Sequence, residues 1–209
     1  MNSKEKKQSA QEKPPELQNG RRRAVFFDRD GTLNKEIGYL NHSSLLELYP
    51  FAGKAVGLAN RANLLTIVVT TQAGVAQGLF EEPALEKIHR QFSDRIQAAG
   101  GKLDGIFYCP HHPRAIVETY RLECDCRKPG AGMLERAATR FGIDLEKSFI
   151  VGDRYVDIQA GHRVGARSVL VLTGFGKQEW EAGQAQEQRQ PDYVAKNVHQ
   201  AVRWILQQL

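Results

Sequence analysis

Two aspartates separated by one residue, Asp28 and Asp30, close an apolar run in FFDRDGTLN at residues 26–34. In extended backbone, residues i and i+2 point the same way, so both carboxylates can serve one site while Arg29 is directed elsewhere. Gly31 permits a tight turn directly after them. Like charges this close are tolerated when a cation lies between them or when one holds a proton. A second acidic stretch, IVGDRYVD, ends another apolar run in Asp153 and places Asp157 one turn later. Hard oxygen donors of this kind suit magnesium, which keeps several waters and often a substrate phosphate. A lone DxD commonly serves as a turn or helix cap; two acid-bearing strand ends in one sheet argue for a shared site instead.

All three cysteines fall within CPHHPRAIVETYRLECDCRKP, residues 109–129. An odd number argues against a disulfide framework. Cys109, Cys124 and Cys126 with one imidazole match a closed tetrahedral zinc site. The fourth ligand is His111 or His112, with spacing mildly favouring His111. A closed site leaves no position for chemistry, so this zinc is structural. It orders a long loop whose end delivers Arg127 and Lys128.

Elements that place these residues can be read from the apolar pattern. AVFFD (24–28), LLTIVVT (64–70), GIFYC (105–109), SFIVGD (148–153) and SVLVLT (168–173) have little alternation, as strands covered on both faces do. DYVA (192–195) adds an edge strand. Helical spacing appears in Leu85, Ile88, Phe92 and Ile96, in Met133, Leu134, Ala137 and Phe141, and in Val198, Val202, Ile205, Leu206 and Leu209. The alternation predicts a Rossmann-like α/β three-layer sandwich with a parallel sheet. Ligands of such sheets bind outside the carboxyl ends of the strands, where Asp28, Thr70 and Asp153 fall. The intervals from Asp28 to Thr70 and from Thr70 to Lys128 leave no room for a large cap domain. The site is therefore open, shaped by residues 34–50 and the small zinc-bound loop.

Residues 24–209 form one domain in this reading. Residues 1–23 carry seven Lys or Arg and three Glu, and read as a disordered basic tail. Most of the chain's net charge of +5 belongs to that tail. A nearly neutral body disfavours nucleic acid as a partner. LLTIVV is too short to span a bilayer, and the first residues lack the apolar core of a signal peptide, so a cytoplasmic monomer without membrane contact is expected.

The motifs together resemble the haloacid dehalogenase-like phosphatases. Those carry DxDGT after the first strand, Thr or Ser after the second, a later Lys, and GDxxxD after the fourth. Here these are DRDGT (28–32), Thr70, Lys128 and GDRYVD (152–157). The resemblance implies Asp28 as nucleophile and Asp30 as general acid and base. It implies Thr70 and Lys128 as holders of the phosphate, and magnesium on Asp28, Asp153 and the backbone carbonyl of Asp30. The cysteine loop, TTQAG (70–74) and IGY (37–39) narrow the likeness to D-glycero-D-manno-heptose 1,7-bisphosphate 7-phosphatases, with histidinol-phosphate phosphatases as relatives. That pattern implies a sugar-phosphate substrate contacted by Gly38, Tyr39, Thr71, Gln72, Ala73, Arg127 and Arg154, besides Thr70. The family's usual TNQSG reads TTQAG here. Competing readings are a histidinol-phosphate phosphatase, a nucleic-acid 3′-phosphatase, which an open site would admit, and a non-catalytic binding module. The last would be expected to lack one of the acids or the lysine.

Overall fold

The computed structural model describes residues 21–183 and 190–209. Six parallel strands form one sheet: β1 (Ala24–Phe27), β2 (Leu65–Thr71), β3 (Gly105–Cys109), β4 (Phe149–Gly152), β5 (Arg167–Val171) and β6 (Tyr193–Ala195). Their order is β3-β2-β1-β4-β5-β6. The chain therefore winds outward from β1 in one direction and then returns to β4 on its other side. Crevices for ligands open at such a reversal. Register places Phe27 opposite both Val68 and Val151, so the three central strands end nearly level.

The sheet is covered on both faces because its strands alternate between two apolar sets. Val25 and Phe27 of β1 face α1 (Ala52–Arg61), α2 (Glu82–Ala98) and α6 (Val198–Leu206). Ala24 and Phe26 face α3 (Gly132–Phe141) and Ala160 of α4 (Tyr155–Arg163). Tyr155 and Ile158 of α4 pack with Leu170 and Trp180, the latter from α5 (Gly176–Gly183). Helix ends follow local chemistry: the Asn197 side chain caps α6 by accepting from Gln200 N–H at 3.1 Å, and α3 stops at Gly142 in the left-handed region.

Every strand expected from the apolar runs is present within a residue or two, including the edge strand. Between β1 and α1 the chain makes only isolated bridges and one short 3-10 turn at Ser43–Leu45, with no cap domain. Residues 1–20 of the expected tail lie outside the described residues. Arg22 pairs with Ile143, so paired backbone begins two residues ahead of Ala24. Among the described residues no helix is long and apolar enough to cross a membrane.

Phe92 is fully buried between α2 and the sheet. Phe92→Ala is expected to cost about 3–5 kcal/mol of unfolding free energy, through lost transfer energy and the cavity left behind. Denaturant titration of the purified variant checks this.

Candidate active site

β1 and β4 are neighbours, so the residues that follow them meet. Asp28 continues β1 and its N–H donates to the Val151 carbonyl at 2.9 Å. Lys128 arrives from the cysteine loop and is buried. Its ammonium donates to Asp28 Oδ1 at 2.5 Å and to the Val69 carbonyl at 3.0 Å, and pairs with Asp157 Oδ1 at 2.5 Å. Asp157 sits in the first turn of α4, where its Oδ2 accepts from the Arg154 N–H at 3.1 Å. Asp153 is buried beside them, and its Oδ2 accepts from Phe175 N–H at 2.8 Å. Gly31, at φ +79°, passes so close to the Asp153 carboxylate that any side chain there would collide with it.

Asp28, Asp153 and Asp157 each bring a carboxylate oxygen within 4.8 Å of the others. One ammonium faces three carboxylates, and the imbalance is visible in their acidities. Burial opposes the Lys128 charge, but Asp157 and Asp28 outweigh it and raise its pKa. Burial raises Asp28 to about 7 despite Lys128, with Asp157 and Asp30 adding to the effect. Asp153 is raised to about 9 by burial and then by Asp28 and Asp157. Carboxyls that retain protons at neutral pH for want of positive charge are a site for a hard divalent cation, and all three donors are oxygens. The residues present fit magnesium.

Asp30 has the opposite surroundings. Arg29 is fully buried and grips it with two bonds, Nε to Oδ1 at 3.2 Å and Nη2 to Oδ2 at 2.7 Å. Asn34 donates to Oδ1 and Gln72 to Oδ2, each at 2.8 Å. Burial alone would raise the Asp30 pKa, but Arg29 and these donors hold it below the ordinary carboxylate value. The expectation that Arg29 points away from the aspartates is thus corrected. The backbone bends after Asp28, and the Arg29 side chain turns onto its neighbour. The third carboxylate of the cluster is Asp157, while Asp30 is drawn to its guanidinium.

A cavity of about 450 Å³ opens over these groups. Every residue assigned from sequence to catalysis or substrate lines it: Asp28, Asp30, Gly38, Tyr39, Thr70, Thr71, Gln72, Ala73, Arg127, Lys128 and Arg154, with Asp153. Glu36, Gly74, Val156, Asp157 and Phe175 complete the wall. Gln72 Nε2 also donates to Thr70 Oγ1 at 2.9 Å, linking the end of β2 to Asp30. Among the described residues the buried Thr71 hydroxyl has no hydrogen-bond partner.

The cysteine cluster forms as its spacing suggested. Cys109 and Cys124 sulfurs lie 3.5 Å apart, Cys124 and Cys126 3.2 Å, and His111 Nδ1 is 3.3 Å from Cys126 and 3.8 Å from Cys109. A tetrahedron with Zn–S of about 2.3 Å has edges of about 3.8 Å, so the four donors are spaced for zinc. His112 takes no part, and its Nδ1 accepts from Arg114 N–H at 3.0 Å. Backbone bonds carry the cluster's position into the cavity. The His111 carbonyl accepts from Arg127 Nη1 at 3.2 Å, and the Cys109 carbonyl from Gln72 N–H at 2.7 Å.

The family model described as "HAD-hyrolase-like" matches residues 125–201. A D-glycero-D-manno-heptose-1,7-bisphosphate 7-phosphatase of Thermosynechococcus vestitus is 37% identical over 188 residues, 88% of this chain and 95% of the relative. The chain belongs to the haloacid dehalogenase-like phosphatase family. Another member, the D-glycero-beta-D-manno-heptose-1,7-bisphosphate 7-phosphatase of Escherichia coli K12, is 40% identical over 153 residues, 72% of this chain and 80% of the relative. Among solved structures, D,D-heptose 1,7-bisphosphate phosphatase from B. bronchiseptica, complexed with magnesium and phosphate, superposes with a TM-score of 0.79 at 28% identity. It covers 90% of this chain and 99% of that one.

Two outcomes follow from the haloacid dehalogenase-like site. A carboxyl with a raised pKa binds its proton more tightly folded than unfolded. Without magnesium, Asp28 and Asp153 therefore contribute less stability as pH rises from the unfolded value toward about 7 and about 9. Magnesium must displace those protons, so its apparent affinity rises between about pH 6 and 8, by up to about tenfold per unit for each proton released. Isothermal titration of magnesium into metal-free protein at several pH values measures this; an affinity that falls with pH contradicts it. Cys124→Ser is expected to lose bound zinc and raise KM through Arg127 and Gln72, read by elemental analysis and steady-state kinetics.

Proposed function

We propose that this phosphatase removes the 7-phosphate of D-glycero-D-manno-heptose 1,7-bisphosphate through an aspartyl-phosphate on Asp28. The observation that carries the reading is the convergence of Asp28, Lys128, Asp153 and Asp157 at the β1–β4 crevice, beneath a cavity lined by every residue the motifs assign. The names of relatives that align over most of the chain support the substrate.

In this reading an Asp28 oxygen attacks phosphorus, and the P–O bond to the sugar breaks as the aspartyl-phosphate forms. Lys128 and the Thr70 hydroxyl bind the phosphate oxygens. Asp28, Asp153 and the Asp30 carbonyl, with Asp157 beside them, would hold magnesium, which when bound would neutralise charge between the anionic nucleophile and the phosphate. Asp30 gives its proton to the leaving sugar oxygen, then takes one from the water that cleaves the acyl phosphate. The ionised state in which Arg29, Asn34 and Gln72 hold it suits the second step. For the first, Asp30 must gain a proton and release one of those bonds. Zinc on Cys109, His111, Cys124 and Cys126 is structural.

Arg127 and Arg154 lie on the cavity wall beyond what one phosphate requires, and arginine suits bidentate binding of phosphate or hydroxyl groups. Histidinol phosphate carries an amine that two guanidinium groups would repel. The test is steady-state hydrolysis of heptose bisphosphate, histidinol phosphate and p-nitrophenyl phosphate. Higher kcat/KM for the bisphosphate is expected, with Arg127→Ala raising KM for it far more than for p-nitrophenyl phosphate. Equal efficiency on all three overturns the substrate. Asp28→Asn is expected to fold normally and lose at least about 10³-fold in kcat; a tenth of the activity remaining overturns the covalent route.

A further inference from the structure

Arg154 follows Asp153 at the mouth of the cavity, and its side chain is half exposed. It is nevertheless held. Its Nε lies 3.4 Å from Glu179 Oε1, and its guanidinium carbon stands 5.0 Å from the centroid of the Phe175 ring. The other Glu179 oxygen accepts from the Tyr155 N–H at 2.9 Å. One carboxylate from α5 thus grips the arginine side chain and the first residue of α4 together. Phe175 is itself fixed, because its N–H is bound by Asp153. Glu179 and Phe175 engage one edge and one face of the guanidinium. Among the described residues its terminal nitrogens have no protein hydrogen bond, and they are the donors that suit a planar anion. Glu36, on the cavity wall, is the competing partner, because the Arg154 charge already acts on it.

We infer that Glu179 is a positioning residue for recognition of the leaving group. It holds Arg154 against Phe175 and away from Glu36, so that the free edge of the guanidinium meets the part of the substrate remote from the reacting phosphate. The inference rests on the heptose bisphosphate reading, because a small monophosphate leaves nothing for that edge to bind. An exposed ion pair alone contributes little. Here it acts by removing rotamer freedom that Arg154 would otherwise lose on binding substrate, which lowers KM without touching the chemical step.

The test uses the zinc- and magnesium-loaded protein and the variants Glu179→Gln, Arg154→Ala and their combination, each confirmed folded by circular dichroism. Glu179→Gln keeps an acceptor for Tyr155 N–H and removes the charge that holds Arg154. Expected is a rise of about fivefold in KM for heptose bisphosphate, with kcat and the KM for p-nitrophenyl phosphate within about twofold of wild type. In the Arg154→Ala background Glu179→Gln should add nothing. An unchanged KM, an equal loss on both substrates, a fall in kcat or a fully additive double variant overturns the inference while leaving the substrate assignment standing. Wild-type protein that does not prefer the bisphosphate overturns that assignment and the inference with it.

Discussion

A single buried ammonium, Lys128, set among Asp28, Asp153 and Asp157, is the constraint on which the rest of the structure turns. Its bonds reach Asp28 beyond β1, the Val69 carbonyl of β2 and Asp157 at the start of α4. It can make all three only because β1 lies between β2 and β4 in the sheet. A buried charge network is favourable only when every member is satisfied, and here one cation is short of three anions. The remaining negative charge appears as protons retained on Asp28 and Asp153. The fold therefore holds together a cluster whose electrostatic deficit is that of a divalent cation.

Lys128 must be delivered from outside the sheet, and the cysteine loop does this. The loop is joined to the cavity wall by hydrogen bonds to its backbone: the Cys109 carbonyl accepts from Gln72 N–H, the His111 carbonyl from the Arg127 side chain, and Val117 N–H donates to the Ala76 carbonyl at 3.0 Å. A loop of this length has few apolar side chains with which to fix itself, and Ile116 is 72% exposed. Four clustered donor atoms supply an alternative source of order. The same loop walls the cavity on one side, with residues 36–39 on another, so shape comes from short segments where other architectures would add a domain.

The sheet was legible because β1, β2, β4 and β5 are buried on both faces and so read as unbroken apolar runs. Helices α1, α4 and α5 were not, for a physical reason visible at α1. Gly53 and Gly57 lie against Ala99 and the Gly100 carbonyl at the end of α2, where a larger side chain would collide. A helix packed that closely presents Ala and Gly to its neighbour and loses the large-residue periodicity by which helices are recognised. The candidate site was legible where backbone position alone decides it, at strand ends and in short metal-ligand spacings. It was hidden where side chains choose partners. Nothing in DRD tells that Arg29 folds back on Asp30, nor that Asp157 shares the lysine, nor that Glu179, distant in sequence, holds Arg154.

The two aspartates that open the site end in opposite electrostatic compartments although one residue separates them. Asp28 stands where burial and neighbouring carboxylates favour its protonated form, and Asp30 where a buried guanidinium and two amides favour its ionised form. Environments that push paired acids apart assign them different work. A cation at Asp28 would release its proton and leave an ionised carboxylate. At Asp30 the ionised form is already made, by protein groups that do not depend on a metal. The division also accounts for Arg29 being fully buried behind Asp30: its charge cancels Asp30 locally, so that Asp30 adds only a minor share to the deficit around Lys128. Without that pairing, four carboxylates would compete for one ammonium, and Asp28 would hold its proton more tightly still.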